Sequence, residues 1–358
     1  MKKIDWYIIK KFLGTFFFTL MLILIIVIIF DISEKIDDFL ENNVSIKDIL
    51  FGYYINFIPY FGNLFSPLFI FISIIFFTSR MAGNTEIIAI FNSGMSFERL
   101  LQPFIKTAIL LSIISFVLAN FIIPISNEKR IQFETNHLQK KRYVQKQNIY
   151  VQTTSNQYVH VEHFNNVKNI GYKFTLENLQ DGKLISRIRA HNIKYDTSSS
   201  SWQILEYETR IFTEDGENII SGHKIDTVLN LTPSDFTGKK QVAETMNIFE
   251  LYKHIKEERI KGSENIIFYK ILQQKRIAFP LSAIILTIIA VTISSKRVRG
   301  GIGTHLAIGL AISFSYILFM QVSTTFAINS DLSPTLAVWI PNIIYSIVAI
   351  ILVQIRKV

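Results

Sequence analysis

Five stretches of this chain, residues 12–30, 107–127, 277–295, 306–328 and 332–355, contain no Asp, Glu, Lys or Arg. Each approaches or exceeds the roughly 20 residues that an α-helix needs to cross a bilayer, so five membrane spans are nearly forced. A sixth uncharged run, residues 49–79, is too long for one straight span and carries Asn56, Pro59, Gly62, Asn63 and Pro67. Proline removes a helix hydrogen bond and clashes with the preceding turn. This run is therefore expected to be a broken helix, with residues 60–79 crossing and the first part tilted or kinked at the outer interface. Unsatisfied backbone groups are expensive in hydrocarbon, so the prolines should face protein. At 49% hydrophobic and 18% charged residues, the chain is too apolar for a soluble domain and too charged for lipid burial throughout.

Orientation follows from the short flanks, because Lys and Arg accumulate on the cytoplasmic side. One set of helix ends carries Lys2, Lys3, Lys10, Lys11, Arg80, Arg99, Lys106, Lys296, Arg297, Arg299, Arg356 and Lys357. The opposite segments, 31–48 and 329–331, read as loops, hold only Lys35 and Lys47 against seven acidic residues. Both termini are expected in the cytoplasm and residues 128–270 outside. The net charge of +9 reflects this topology, and no nucleic-acid partner is expected. The first apolar run, about 19 residues long, has span length, and Phe30-Asp31-Ile32-Ser33 offers no small-residue cleavage site, so it should remain as a signal anchor. The absence of cysteine excludes disulfides and thiolate chemistry.

Residues 128–270 are polar, with short apolar and β-branched runs; period-two alternation is plain in Tyr158-Val159-His160-Val161. Asp181-Gly182 and Asp215-Gly216 read as hairpin turns. Strands at this spacing predict an all-β sandwich or jelly roll inserted between spans three and four. From Asn247 to Lys261 the apolar residues Ile248, Leu251, Tyr252 and Ile255 fall at helical spacing, and Gly262 ends the pattern. The expected architecture is a polytopic α-helical membrane protein with six transmembrane helices, 3+3, around an inserted β-domain. Its divisions are residues 1–127, 128–246, 247–270 and 271–358.

The usual catalytic patterns are missing. No Gly-x4-Gly-Lys-Ser/Thr loop occurs, and Arg299-Gly300-Gly301-Ile302-Gly303-Thr304 lacks the lysine, so ATP hydrolysis by that route is excluded. His160 and His163, three apart on a strand, face opposite sides and make a poor metal pair. His305 reads as interfacial. No catalytic residue and no cofactor are expected.

The informative segment lies between spans two and three, at residues 84–94. Asn84 or Thr85 can cap a short helix, Glu86 suits its positive end, and Gly94 can terminate it. Ile87, Ile90 and Phe91 form one apolar stripe. Two readings stand even: insertion into a partner's groove, or a helix lying on lipid.

Together with Tyr7-Ile8-Ile9-Lys10-Lys11-Phe12, the run Glu86-Ile87-Ile88-Ala89-Ile90-Phe91-Asn92-Ser93-Gly94, Lys275-Arg276-x-x-x-Pro280 and the 3+3 layout, this segment resembles the LptF/LptG permease family of lipopolysaccharide export. The resemblance covers essentially the whole chain. It implies a permease subunit of an ABC transporter in the bacterial inner membrane, with a periplasmic jellyroll-like domain. It also implies a sister permease as heterodimer partner, a separate dimeric ATPase, a periplasmic bridge protein and lipopolysaccharide as cargo. Glu86, Ile87, Ile90, Phe91 and Gly94 match the helix that couples to the ATPase. Basic residues near the outer end of span one meet lipid phosphates in some members; here Lys35 is the candidate, among acidic neighbours. A wide apolar wall for a multi-acyl lipid is expected from spans one and five, with Phe16, Phe17, Phe18, Phe314 and Phe319. The alternative is the membrane subunit of another ABC-type lipid or lipoprotein export or mechanotransmission system.

Overall fold

The computed structural model describes residues 3–138, 147–154, 156–165, 168–197, 199–213, 216–237, 241–263, 265–296, 301–330 and 332–357. Among these, six helical rods are long and apolar enough to cross a membrane. They are α1 (Lys3–Glu41), α2 (Ile55–Gly83) with its leading π-helical turn Asp48–Tyr54, and α4 (Phe97–Val117), which continues through Leu118–Ile122 into α5 (Ile123–Phe133). After the insertion come α9 (Ile266–Ser294), α10 (Gly301–Asn329) and α11 (Pro334–Lys357). Between the second and third rods lies the short α3 (Glu86–Asn92). Arg297 and Arg299, counted among the basic flanks, and Asp331 lie outside the described residues.

Two expectations about these rods are corrected. Residues 31–41, read as part of a loop, are the last turns of α1, where an Asp31–Lys35 ion pair of 2.9 Å at i,i+4 spacing supports the helix. The break expected at the prolines is absent: Pro59 and Pro67 lie inside α2, and the irregularity is moved to the π turn before it. Widened turns leave carbonyls poorly paired, and asparagine side chains take them. Asn56 Nδ2 donates to Gly52 O at 2.8 Å, and Asn120 Nδ2, in the π segment of the third rod, donates to Phe116 O at 2.8 Å. The third rod also runs past residue 127, to Leu138.

Where hydrocarbon gives little drive for one helix to pack on another, polar links and small residues hold the bundle. Ser115 donates to Asn63 at 2.6 Å, Ser79 and His305 share a bond of 2.8 Å, and Tyr316 donates to Asn342, whose amide donates to Ala278 O at 2.9 Å. Gly309 of α10 faces Phe71 and Ile75 of α2, so that a Cβ there would have to displace the Ile75 Cδ1 methyl.

The chain forms two compact units. One comprises residues up to Leu138, Glu244–Ile248 and Lys270 onward; the other holds the described residues from the strands to Ala243, and Phe249–Tyr269. In the second unit six strands, β1 (Gln147–Thr154), β2 (Gln157–Asn165), β3 (Ile170–Gln180), β4 (Lys183–Asp196), β5 (Ser201–Thr213) and β6 (Gly216–Thr227), pair antiparallel in chain order. Among the described residues the inserted all-β domain is one six-stranded meander, with each strand paired to the next in the chain. Asp181 and Gly182 both have positive φ, as a type I′ hairpin turn requires; Asp215, expected in the second such turn, lies outside the described residues. Short helices α6 (Pro233–Thr237) and α7 (Gln241–Thr245) follow, then α8 (Ile248–Ile260), close to its expected place.

Strict alternation fails along one line across the sheet. Buried positions jump by three, from Val161 to Phe164, Gly171 to Phe174, Ala190 to Ile193, and from buried Ile204 to half-buried Tyr207. The ladder pairs Val161 with Phe174 and His163 with Tyr172 but skips Glu162 and Lys173; the skip recurs at His191 and Glu206. Lys173 and Glu206 have φ of +52° and +50°. Left-handed residues re-phase the strand, so apolar side chains of opposite parity join one core. That core holds Val161, Phe164, Phe174, Ile193, Trp202 and Phe236, and Trp202 Nε1 donates to Leu231 O at 2.9 Å.

Candidate functional site

In α3 the backbone enters through Thr85 at φ +63° and leaves before Gly94 at φ +83°, so both ends are set by left-handed residues. The expected side-chain cap is absent: the Thr85 hydroxyl donates to Asn84 O, and the Asn84 amide donates to Glu86 Oε1 at 3.3 Å. The apolar stripe turns inward. Ile87 is 1% exposed and Ile90 and Phe91 are half-buried, whereas Ile88, Ala89 and Asn92 are exposed. This corrects Ile87 as a residue that fills a partner's groove: a helix of two turns has too little intrinsic stability to stand without packing on its own protein. Glu86 keeps part of its surface, and its Oε2 accepts a hydrogen bond from the Tyr7 hydroxyl of α1 at 3.3 Å. The Arg356 guanidinium stands 5.9 Å from the Phe91 ring and 5.8 Å from that of Phe97, beside a groove that also holds Met95 and Glu98.

Lys35 is not a free cation. It pairs with Asp31 at 2.9 Å and Glu134 at 3.8 Å, contacts the Tyr53 hydroxyl and lies 4.5 Å from the Tyr53 ring centre. Tyr54 donates to the other Asp31 oxygen at 3.1 Å, and Phe39, Tyr53, Tyr54, Phe57 and Phe133 pack around this network. A phosphate would compete with two carboxylates there. Of the aromatics expected to line a lipid wall, Phe17, Phe18 and Phe314 are exposed and Phe319 is half-buried. Phe16 is 3% exposed, against the Phe17 ring, and so does not form open wall.

A cavity of about 360 Å³ opens between the second, third, fourth and fifth rods. Lys275 and Arg276, noted in the sequence only as part of a motif, line it, and so does Glu244. Burial pushes the Glu244 carboxyl above the usual range, and Arg130 and Arg276 pull it back only in part. Its charges could not be placed together from spacing, because Glu244 on α7 and Lys275 and Arg276 on α9 are separated by α8 and the chain that follows it.

Six spans, one inserted sheet and a short internal helix define a polytopic α-helical membrane protein with an inserted β-domain. The family model described as lipopolysaccharide export system permease LptF/LptG matches residues 6–354, and the chain belongs to that family. No curated protein matches the sequence. The chain is therefore a permease component of the lipopolysaccharide export system and an inner-membrane protein, and is not itself the ATPase.

Proposed function

We propose that this permease pairs with a sister chain of its family, receives the stroke of a separate dimeric ATPase through α3, and lets lipopolysaccharide enter between the pair's first and fifth spans. The sheet then passes the lipid to a periplasmic bridge protein by strand addition at an edge. The observation that carries the reading is the bareness of α1: 11% of its apolar stretch is buried, against 61% for α9. A span this uncovered leaves its surface open to a sister chain and to acyl chains, and Phe17, Phe18 and Phe314 offer those chains a broad wall.

Cytoplasmic termini are part of this reading, supported by Lys10, Lys11, Arg80, Arg99 and Arg356 at one set of helix ends and Asp31, Glu34, Asp37, Asp38 and Glu41 at the other. Glu86, beside the exposed Ile88 and Ala89, is the group for a basic partner in the ATPase groove. Gly94 lets the chain turn into the next span. The test is Glu86→Lys in the assembled transporter, read as lipid export and ATP hydrolysis. Export should fall while membrane insertion persists; full export by the reversed charge would defeat the coupling role. Photo-crosslinkers at Phe17, Phe18, Phe314 and Phe319 should capture the lipid.

A further inference from the structure

The cavity between the second to fifth rods is chemically two-sided. Leu64, Phe65, Ile123, Phe279, Ile317 and Met320 make most of its wall, and Lys275, Arg276 and Glu244 meet at one part of it. Arg276 is 7% exposed and is anchored by donation from Nη1 to Met246 O at 2.6 Å. Lys275 has no hydrogen bond or ion pair among the described residues. Asn127, 1% exposed, also lines the cavity, and its Oδ1 has no partner there.

Lys275 lies nine residues into α9 and, with Arg276, immediately ahead of the uncharged stretch 277–295. A half-buried ammonium at the mouth of a span is unfavourable unless it is paired or lies against a polar cavity. Two cations share the site with Glu244, and the next charges out, Arg130 and Glu134, are paired with each other at 3.9 Å, so the local balance is positive and favours a bound anion. A free phosphate would leave the apolar wall empty, and a neutral acyl chain would leave the cations unmatched. The volume, about 360 Å³, sits near the small end of ligand pockets and suits one chain rather than a multi-acyl body.

We infer that this cavity binds a phosphate-bearing lipid, with one acyl chain along the apolar wall and its phosphate on Lys275 and Arg276. The inference is independent of the export reading: the lipid can be a resident phospholipid or part of the exported glycolipid.

The test is native mass spectrometry of the assembled transporter, loaded in turn with phosphatidylglycerol, lipid A and phosphatidylcholine. The wild type should retain an anionic lipid over phosphatidylcholine. Lys275→Gln should weaken that retention about tenfold, the scale of one charge-assisted hydrogen bond, and Lys275→Arg should restore it. Met320→Trp, which fills the wall without touching the charges, should also lower retention. Preference for phosphatidylglycerol marks a resident lipid, and preference for lipid A marks cargo; either supports the site. Equal retention of anionic and zwitterionic lipid, or no effect of Lys275→Gln and Met320→Trp, overturns it and leaves Lys275 as a side chain reaching for the interface.

Discussion

Arg99, at the start of α4, and Asp5, at the start of α1, are joined by an ion pair of 2.7 Å across 94 residues of chain. Asp5 is 5% exposed, whereas Arg99 is only partly covered. Removing the arginine takes the cation from a buried carboxylate, while removing the aspartate lets Arg99 turn to water. Arg99→Ala should therefore lower the thermal midpoint more than Asp5→Ala, as read by tryptophan fluorescence in detergent. Equal losses would mean that the pair is ornamental.

Gly309 sets how closely α10 approaches α2. A methyl built there overlaps Ile75 and comes within 3.1 Å of Phe71. Gly309→Ala should cost about 1–3 kcal/mol through overpacking, and Ile75→Ala in the same chain should recover part of it. Non-additive melting data would support the contact; strictly additive losses would speak against it.

The crease in the sheet rests on left-handed Lys173 and Glu206. Glycine adopts that conformation freely, whereas other L-residues lose about 1–2 kcal/mol there. Lys173→Gly and Glu206→Gly should be neutral or stabilising in thermal melts, although Lys173→Gly gives up an exposed ion pair of 2.7 Å to Glu162. Val at either position should destabilise. If Val melts like the wild type, the crease is not conformationally demanding.

Glu244 should make stability pH-dependent. Its carboxyl is raised in the fold, chiefly by burial, so the folded state holds the proton more tightly than the unfolded chain. Stability from this group is then present at low pH and declines as pH rises from the ordinary carboxylate range through the raised value. Glu244→Gln should melt increasingly above wild type as pH rises toward neutrality and should match it in acid. A difference that is flat with pH would contradict this.

The six spans were legible in sequence because their cause is local: a run without charge must leave water, and its length measures the bilayer. The basic and acidic helix ends, the β character of the insertion and α8 were legible for the same reason, as each follows from neighbours within a few residues. The crease was missed, because alternation was read from Tyr158 to Val161 and no further. The three-residue step from Val161 to Phe164 is visible in the letters, but only alignment with Phe174, Ala190 and Ile204 in adjacent strands makes it a line rather than an irregularity.

What only the tertiary structure decided depends on which side of a helix meets protein. Periodicity identified the Ile87, Ile90 and Phe91 stripe but could not say whether it faced a partner or the chain itself; packing turned it inward and left Ile88 and Ala89 outside. Lys35 looked available until Glu134, 99 residues further along the chain, was brought beside it. The cavity with Lys275, Arg276 and Glu244 exists only because four rods from both halves of the chain converge, and convergence of distant segments has no local periodicity to announce it.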